Sequence, residues 1–309
     1  MFSPVPQHFA PVLILAPESP DRYQVGGFGI LPRRWGVGIT DWAWLAVSEH
    51  HTLEVEYQLA DVLIHGCNME LVVEAPDLRS ARGQFEWLYA SLMIVGVAPF
   101  FAPFISTHSI NDFSNVSAGT PTDDDRRDRY HALRSGHESV TFGFNLFHFG
   151  SLTSPLDAEE RITVARLTDA ANLTDRWRVL VESDPTLRVL HDALIAAPQV
   201  GNRGQSILMM WTALESLFPK VNSELSFRLA LYLAQLLGHT TPRFDNFQRV
   251  RSAYNTRSAI AHGTWKPKDF LSERRDWTVA WMLLLDVANA CLSRGRLPSE
   301  DDLTAELLA

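Results

Sequence analysis

The spacing of apolar positions changes character near residue 155, and the change divides the chain into two kinds of structure. Up to about residue 150 the apolar residues fall in short segments rich in β-branched and aromatic side chains, at 12–15, 36–39, 53–59, 70–73 and 139–147. Pro, Gly and Asp separate them. Leu53, Val55, Tyr57 and Leu59 alternate with Glu54, Glu56 and Gln58, the two-residue period of a strand with one covered face. One helix is expected among these strands over 80–95, where Phe85, Leu88, Leu92 and Val95 recur at helical spacing. The polar stretch 106–129, with the acidic run Asp123–Asp125, reads as an exposed loop.

After Pro155 the period becomes helical and stays so, predicting helices at 157–182, 186–197, 204–218, 223–237, 244–262 and 274–293. The breaks carry helix-end residues: Asp184-Pro185, Pro219, Gly238 and Gly263. The fold class expected is therefore α+β, with a β-rich domain over 1–153 followed by an all-α bundle over 154–309. The last helix is apolar almost all round, from Trp277 through Trp281 and Leu285 to Ala288. Such a helix has to be covered on most sides. Partial burial in the bundle with the remainder at a homodimer contact is expected.

Composition sharpens this picture. With 309 residues and 46% hydrophobic content the chain can build two modest cores. The formal net charge is −9, yet residues 203–275 hold eleven basic and five acidic side chains, including all three lysines, Lys220, Lys266 and Lys268. A local basic patch suits a phosphate site better than sequence-blind coating of nucleic acid; a basic face complementing an acidic neighbour is the plainer alternative. Cys67 and Cys291 make neither a disulfide framework nor a zinc cluster and suit a reducing, cytoplasmic setting. The proline-broken N-terminus has no basic segment and does not read as a signal peptide. The longest apolar run, 92–105, contains Pro99 and Pro103 and falls short of the ~20 residues of a spanning helix, so no membrane contact is expected. His50, His51, His65 and Cys67 lack the pattern of a complete ligand set, so neither metal nor other cofactor is expected.

Candidate chemistry lies at the end of the fifth predicted helix, in the phrase YNTRSAIAHG, Tyr254 to Gly263. Arg257 brings a guanidinium able to clamp a phosphate, and His262 an imidazole able to move a proton near neutral pH. Spacing alone decides nothing, because Arg126 and His131 stand at the same separation in a charged stretch. On a helical wheel Phe247, Val250, Tyr254 and Ala261 form the expected inward stripe, with Arg257 and His262 on opposite flanks, about 140° apart. One helix therefore cannot aim both groups at one phosphate, whereas two helices around a two-fold axis could. Glu215, beside the stripe Ile207, Trp211, Leu214 and Phe218, is expected to hold an arginine, either Arg257 or Arg228. Ordinary helix capping by His262 and a structural ion pair for Arg257 are the alternative reading.

Three phrases in order, WTALESLF (Trp211–Phe218), SELSFRLALYLAQLLG (Ser223–Gly238) and YNTRSAIAHG, resemble the Apea-like branch of HEPN domains, helical bundles found in bacterial ribonucleases, toxins and phage-defence proteins. The resemblance covers residues 203–263. It implies a metal-independent endoribonuclease working as a homodimer on RNA, with Arg257 binding the scissile phosphate and His262 as general base or acid. Tyr254, Asn255, Ser258 and Glu215 would support them. Ser258 stands where many HEPN ribonucleases have Asn, Asp or His after the Arg, and Thr264 where some HEPN toxins have a modifiable Tyr. The family also contains non-catalytic RNA- or protein-binding members. The β-rich half matches no motif and, by analogy with other multidomain HEPN proteins, would receive a trigger ligand or protein.

Overall fold

The computed structural model describes residues 5–36, 65–113, 139–141, 152–156, 159–221, 224–238 and 242–309. The expected strand at 53–59, most of that at 36–39, the end of that at 139–147, residues 114–129, His50, His51 and the Arg126/His131 pair lie outside them. The fold is α+β, as the pattern predicts. Its strands are β1 (Gln7–Leu13), β2 (Ala16–Pro17), β3 (Tyr23–Val25), β4 (Phe28–Pro32), β5 (Cys67–Glu74), β6 (Phe104–Ser106), β7 (Ser139–Thr141) and β8 (Arg161–Ile162). Helix α1 (Leu78–Ile94) follows β5. By contacts the chain divides into two units, each discontinuous in sequence. One is Met1–Leu88, Phe100–Leu146 and Glu159–Ala171; the other is Tyr89–Pro99, Phe147–Ala158 and Asn172–Ala309.

The first unit is organised by an antiparallel sheet in the order β3-β4-β5-β1-β6-β7. At its centre β1 pairs β5 from Gln7↔Glu74 to Val12↔Met69. Met69, Leu71, Val72 and Val73 are all buried, so β5 is covered on both faces, and its apolar run is interrupted only by Glu70. The β3–β4 hairpin, absent from the expected strands, turns through Gly26-Gly27, with Gly26 at φ +51°. The apolar stretch 92–105 is largely buried: α1 ends, Phe101 bridges to Leu13, and β6 joins β1. Among the described residues no helix is long and apolar enough to cross a membrane.

The helix expected from residue 157 does not include the described residues 159–163. Arg161–Ile162 instead run parallel to Ala16–Pro17, where Ala16 N–H donates to Glu160 O at 3.0 Å and Glu18 N–H to Ile162 O at 3.0 Å. Those donors need acceptors and Ile162 is buried, so pairing overrides helical propensity until Val164.

Inside the sheet unit, Glu70 is completely buried. Its carboxyl accepts the Ile110 N–H at 2.8 Å and meets the Ser109 hydroxyl, fixing the 3₁₀ turn Ile110–Phe113. Burial, only partly offset by these hydrogen bonds, pushes its pKa from 4.5 up to about 8.

The second unit is built mainly from helices. The remaining helices of the chain are α2 (Val164–Ser183), α3 (Pro185–Ala196), α4 (Arg203–Ser216), α5 (Leu225–Leu237), α6 (Arg243–Ala261), α7 (Phe270–Arg294) and α8 (Glu300–Leu308). Asp184 caps α3 through the Thr186 N–H at 2.9 Å, with Pro185 in the first turn, and Asn202 caps α4 through the Gln205 N–H at 3.0 Å. Helix α7 packs against α3, α4, α5 and α6, which covers most of its apolar surface inside the bundle. Trp277 and Trp281 stack at 5.3 Å and 15°, while Met282 stays 42% exposed. Helix α8 was not anticipated. A Ser299/Asp302 capping box starts it, and Leu303 is buried.

Trp177 donates its indole N–H to Nδ1 of buried His191 at 3.1 Å, joining α2 to α3. That bond requires an unprotonated Nδ1, and burial, reinforced by Arg188, draws the His191 pKa from 6.5 down to about 4.

The two buried groups should give opposite pH responses. Glu70 is raised in the fold, so its contribution is complete below about 4.5 and is lost as pH climbs toward about 8. His191 is lowered, so its contribution is complete above 6.5 and is lost as pH falls toward about 4. Urea midpoints measured from pH 4 to 9 should lose part of their alkaline decline in Glu70→Gln. They should lose part of their acid decline in His191→Asn, whose Oδ1 keeps the acceptor. Unchanged slopes in both variants would contradict the assignment.

Candidate active site at the end of helix α6

Helix α6 buries Asn246, Val250 and Ala253, and the same line of the helix continues to Arg257. This corrects the stripe expected from hydrophobicity: Phe247 and Tyr254 are only half-buried and Ala261 is exposed. The inward face holds two polar residues that have found partners. Asn246 Nδ2 donates to the Leu237 carbonyl at 3.2 Å, and Arg257 reaches Glu215 on α4. Polar residues satisfied in this way are invisible to a reading that equates inward with apolar.

The Arg257–Glu215 pair is side-on. Nε lies 3.0 Å from Oε1 and Nη2 donates to Oε2 at 3.1 Å, with the side chains 26% and 20% exposed. Of the two arginines considered for Glu215, Arg257 is the one that engages it; Arg228 instead donates to the Tyr232 hydroxyl at 3.3 Å. The Arg257 guanidinium also stands 5.6 Å from the Tyr254 ring centroid. That ring meets buried Trp211 edge-on at 5.3 Å and 88°. Burial, then Glu215, pushes the Tyr254 phenol above its ordinary value, keeping it neutral.

His262 lies on the other side. It is the C-cap residue, at φ −92° and ψ 2°, and it is exposed. Among the described residues no side chain engages its ring. The turn beneath it is a Schellman closure: Gly263 N–H donates to Ile260 O at 3.0 Å and Thr264 N–H to Ala259 O at 2.8 Å. Gly263 takes φ +69°, which a side chain would disfavour.

The predicted residues thus separate into two groups. Arg257, Glu215 and Tyr254 form an inward cluster. Exposed Asn255, half-buried Ser258 and exposed His262 lie along the outward face, three and four residues apart. Arg251 extends that outward row and was missed; the spacing Arg251, Asn255, Ser258, His262 is a signal that could have found it.

The start of α4 supports the end of α6. A Cβ on Gly204 would come within 3.2 Å of Asn202 Oδ1, 3.3 Å of the Trp265 ring and 3.4 Å of Ile260, so any side chain there would require these neighbours to shift. Trp265 Nε1 donates to Asp276 at 2.9 Å, which fastens the connection between α6 and α7. Among the described residues no group of three or more His, Cys, Asp or Glu side chains is arranged to hold a metal ion. No family model, no curated protein and no solved structure matches the chain significantly.

Two measurements probe this local architecture. A Glu215/Arg257 double-mutant cycle should return about 1–2 kcal/mol of coupling, above an exposed pair because both ends are largely covered. Gly263→Ala should cost about 1 kcal/mol in urea unfolding, from left-handed strain alone. A coupling near zero would mean the guanidinium is not held.

Proposed function

We propose that the helical unit is a metal-independent endoribonuclease of the HEPN kind, assembled as a homodimer and serving phage defence or stress response. The observation that carries this reading is the arrangement around α6. Glu215 occupies the Nε/Nη2 edge of Arg257 and leaves the Nη1 side of the fork for a phosphate, while His262 offers an exposed imidazole. Within one chain the first group faces inward and the second outward, so the reading calls for a second copy to complete each site.

In the proposed reaction His262 takes the proton of a ribose 2′-OH, and the 2′ oxygen attacks the adjacent phosphorus. Arg257, oriented by Glu215 and Tyr254, offsets the charge that develops on the phosphorane. The bond to the 5′ oxygen breaks as an imidazolium returns a proton to it, leaving a 2′,3′-cyclic phosphate and a 5′-hydroxyl. Asn255 and Ser258 would meet the RNA beside His262, and the sheet unit would receive the trigger ligand or protein.

A second reading, a non-catalytic regulator binding RNA or a protein, is favoured by one specific observation: the Glu215 carboxylate already offsets the charge of Arg257. Incubation of end-labelled RNA with the full chain in excess chelator separates the two. Cleavage to cyclic-phosphate ends, reduced about a hundredfold or more in His262→Ala, is expected, together with a dimer by light scattering. A wild type that is inactive under inducing conditions, or a variant as active as the wild type, would leave the regulator.

A further inference from the structure

Phe270 opens α7 as a residue 57% exposed, next to Leu271 at 58%. An exposed ring is unremarkable when it is loose, but this one is built in. The Arg203 guanidinium stands 4.2 Å from the ring centroid, and Glu273 holds that guanidinium at 3.2 Å. Asp269 and Ser272 close a capping box around the same turn, through bonds of 2.7 and 3.0 Å. An aromatic ring has thus been fixed over a planar cation, with most of its surface left to solvent.

Beside the carboxylates of Asp269 and Glu273, the surroundings also carry positive charge. Lys266 and Lys268 are exposed and without side-chain partners among the described residues, and Arg275 stands near Asp269. The Trp265–Asp276 bond pins the connection on which both lysines ride, and His262 lies at its other end. A rigid π face flanked by unpaired cations is how proteins hold single-stranded nucleic acid: the ring stacks on a base, and the cations take the neighbouring phosphates.

We propose that Phe270, supported from beneath by Arg203, is a base-stacking platform for single-stranded RNA, with Lys266 and Lys268 as its phosphate contacts. The identity of the polynucleotide rests on the ribonuclease reading; the platform itself is a binding site and is tested as one. An acidic protein segment would also value the lysines. The observations favour RNA over it because Phe270 and Leu271 offer little apolar area, whereas a clamped ring is suited to a planar ligand.

The test is fluorescence anisotropy of labelled 12-nucleotide oligo(A) and oligo(U) RNA against the full-length chain carrying His262→Ala, which prevents cleavage during titration. Adding Phe270→Ala should raise Kd about tenfold, while Phe270→Trp should hold it within about twofold. Oligo(A), with the larger stacking surface, should bind more tightly than oligo(U). Arg203→Ala should weaken binding in the same direction with the circular dichroism unchanged. Equal Kd for the His262→Ala protein with and without Phe270→Ala, equal losses in Phe270→Ala and Phe270→Trp, or no RNA binding at all would overturn the platform and leave this face to a protein partner. A Phe270-dependent complex whose wild type never cleaves RNA would uphold the platform and remove only the nuclease. Cleavage whose KM ignores Phe270→Ala would remove only the platform.

Discussion

Burying a tryptophan obliges a fold to find an acceptor for its indole N–H, and the helical unit is arranged around meeting that obligation. Trp277 at the centre of α7 donates to Ser206 Oγ at 2.7 Å, and Ser206 donates onward to the Ala197 carbonyl at 2.6 Å. This two-bond chain links α7 to the start of α4 and to the end of α3. Trp177 binds His191 and so joins α2 to α3; Trp265 binds Asp276 and so anchors the turn after α6. Each indole supplies apolar area to the core and a directional bond that picks one relative placement of two helices. Trp211 is the exception, with an indole N–H lacking a hydrogen-bond partner, and it sits against Tyr254 in the candidate site.

The same need to satisfy polar groups explains the shape of that site. Arg257 faces α4 because Glu215 is there to receive it, and Glu215 can be half-buried because Arg257 covers it. The pair is the reason α6 shows so little helical amphipathicity: a guanidinium and an amide occupy positions where apolar residues would mark the inward line. The helix existed in the sequence as a length over 244–262 closed by Gly263, and its residues were identifiable as candidates. Its rotation was not identifiable, since that depended on partners lying about forty residues earlier in α4.

Other elements divide along the same line. Helices whose ends carry local chemistry, such as Asp184-Pro185 before α3 and Gly263 after α6, were legible because the stop signal and the element are neighbours in the chain. Strand β8 was not, because Arg161 and Ile162 become a strand only through Ala16 and Pro17, far away in sequence. The hairpin of β3 and β4 had its Gly26-Gly27 turn in plain view, yet its strands are short and half-exposed, too brief for an alternation to stand out. The platform at Phe270 was hidden for a further reason. Exposure is what marks it, and a pattern of apolar residues says nothing of which one the fold will leave uncovered.

Charge shows how far composition can mislead about recognition. The basic excess of residues 203–275 reads as a local positive patch, but the fold neutralises much of it. Glu273 takes Arg203, Asp301 takes Lys220, Asp286 takes Arg249 and Glu215 takes Arg257. Among the described residues, Arg243, Arg251, Lys266 and Lys268 keep exposed charge without a partner. A handful of cations releases few counterions and gives a weak, salt-sensitive attraction to any polyanion. A chain of this composition that engages RNA must therefore draw much of its affinity from stacking and fixed hydrogen-bond geometry. The paired arginines then act less as phosphate magnets than as struts, one holding an aromatic ring and another held against Glu215.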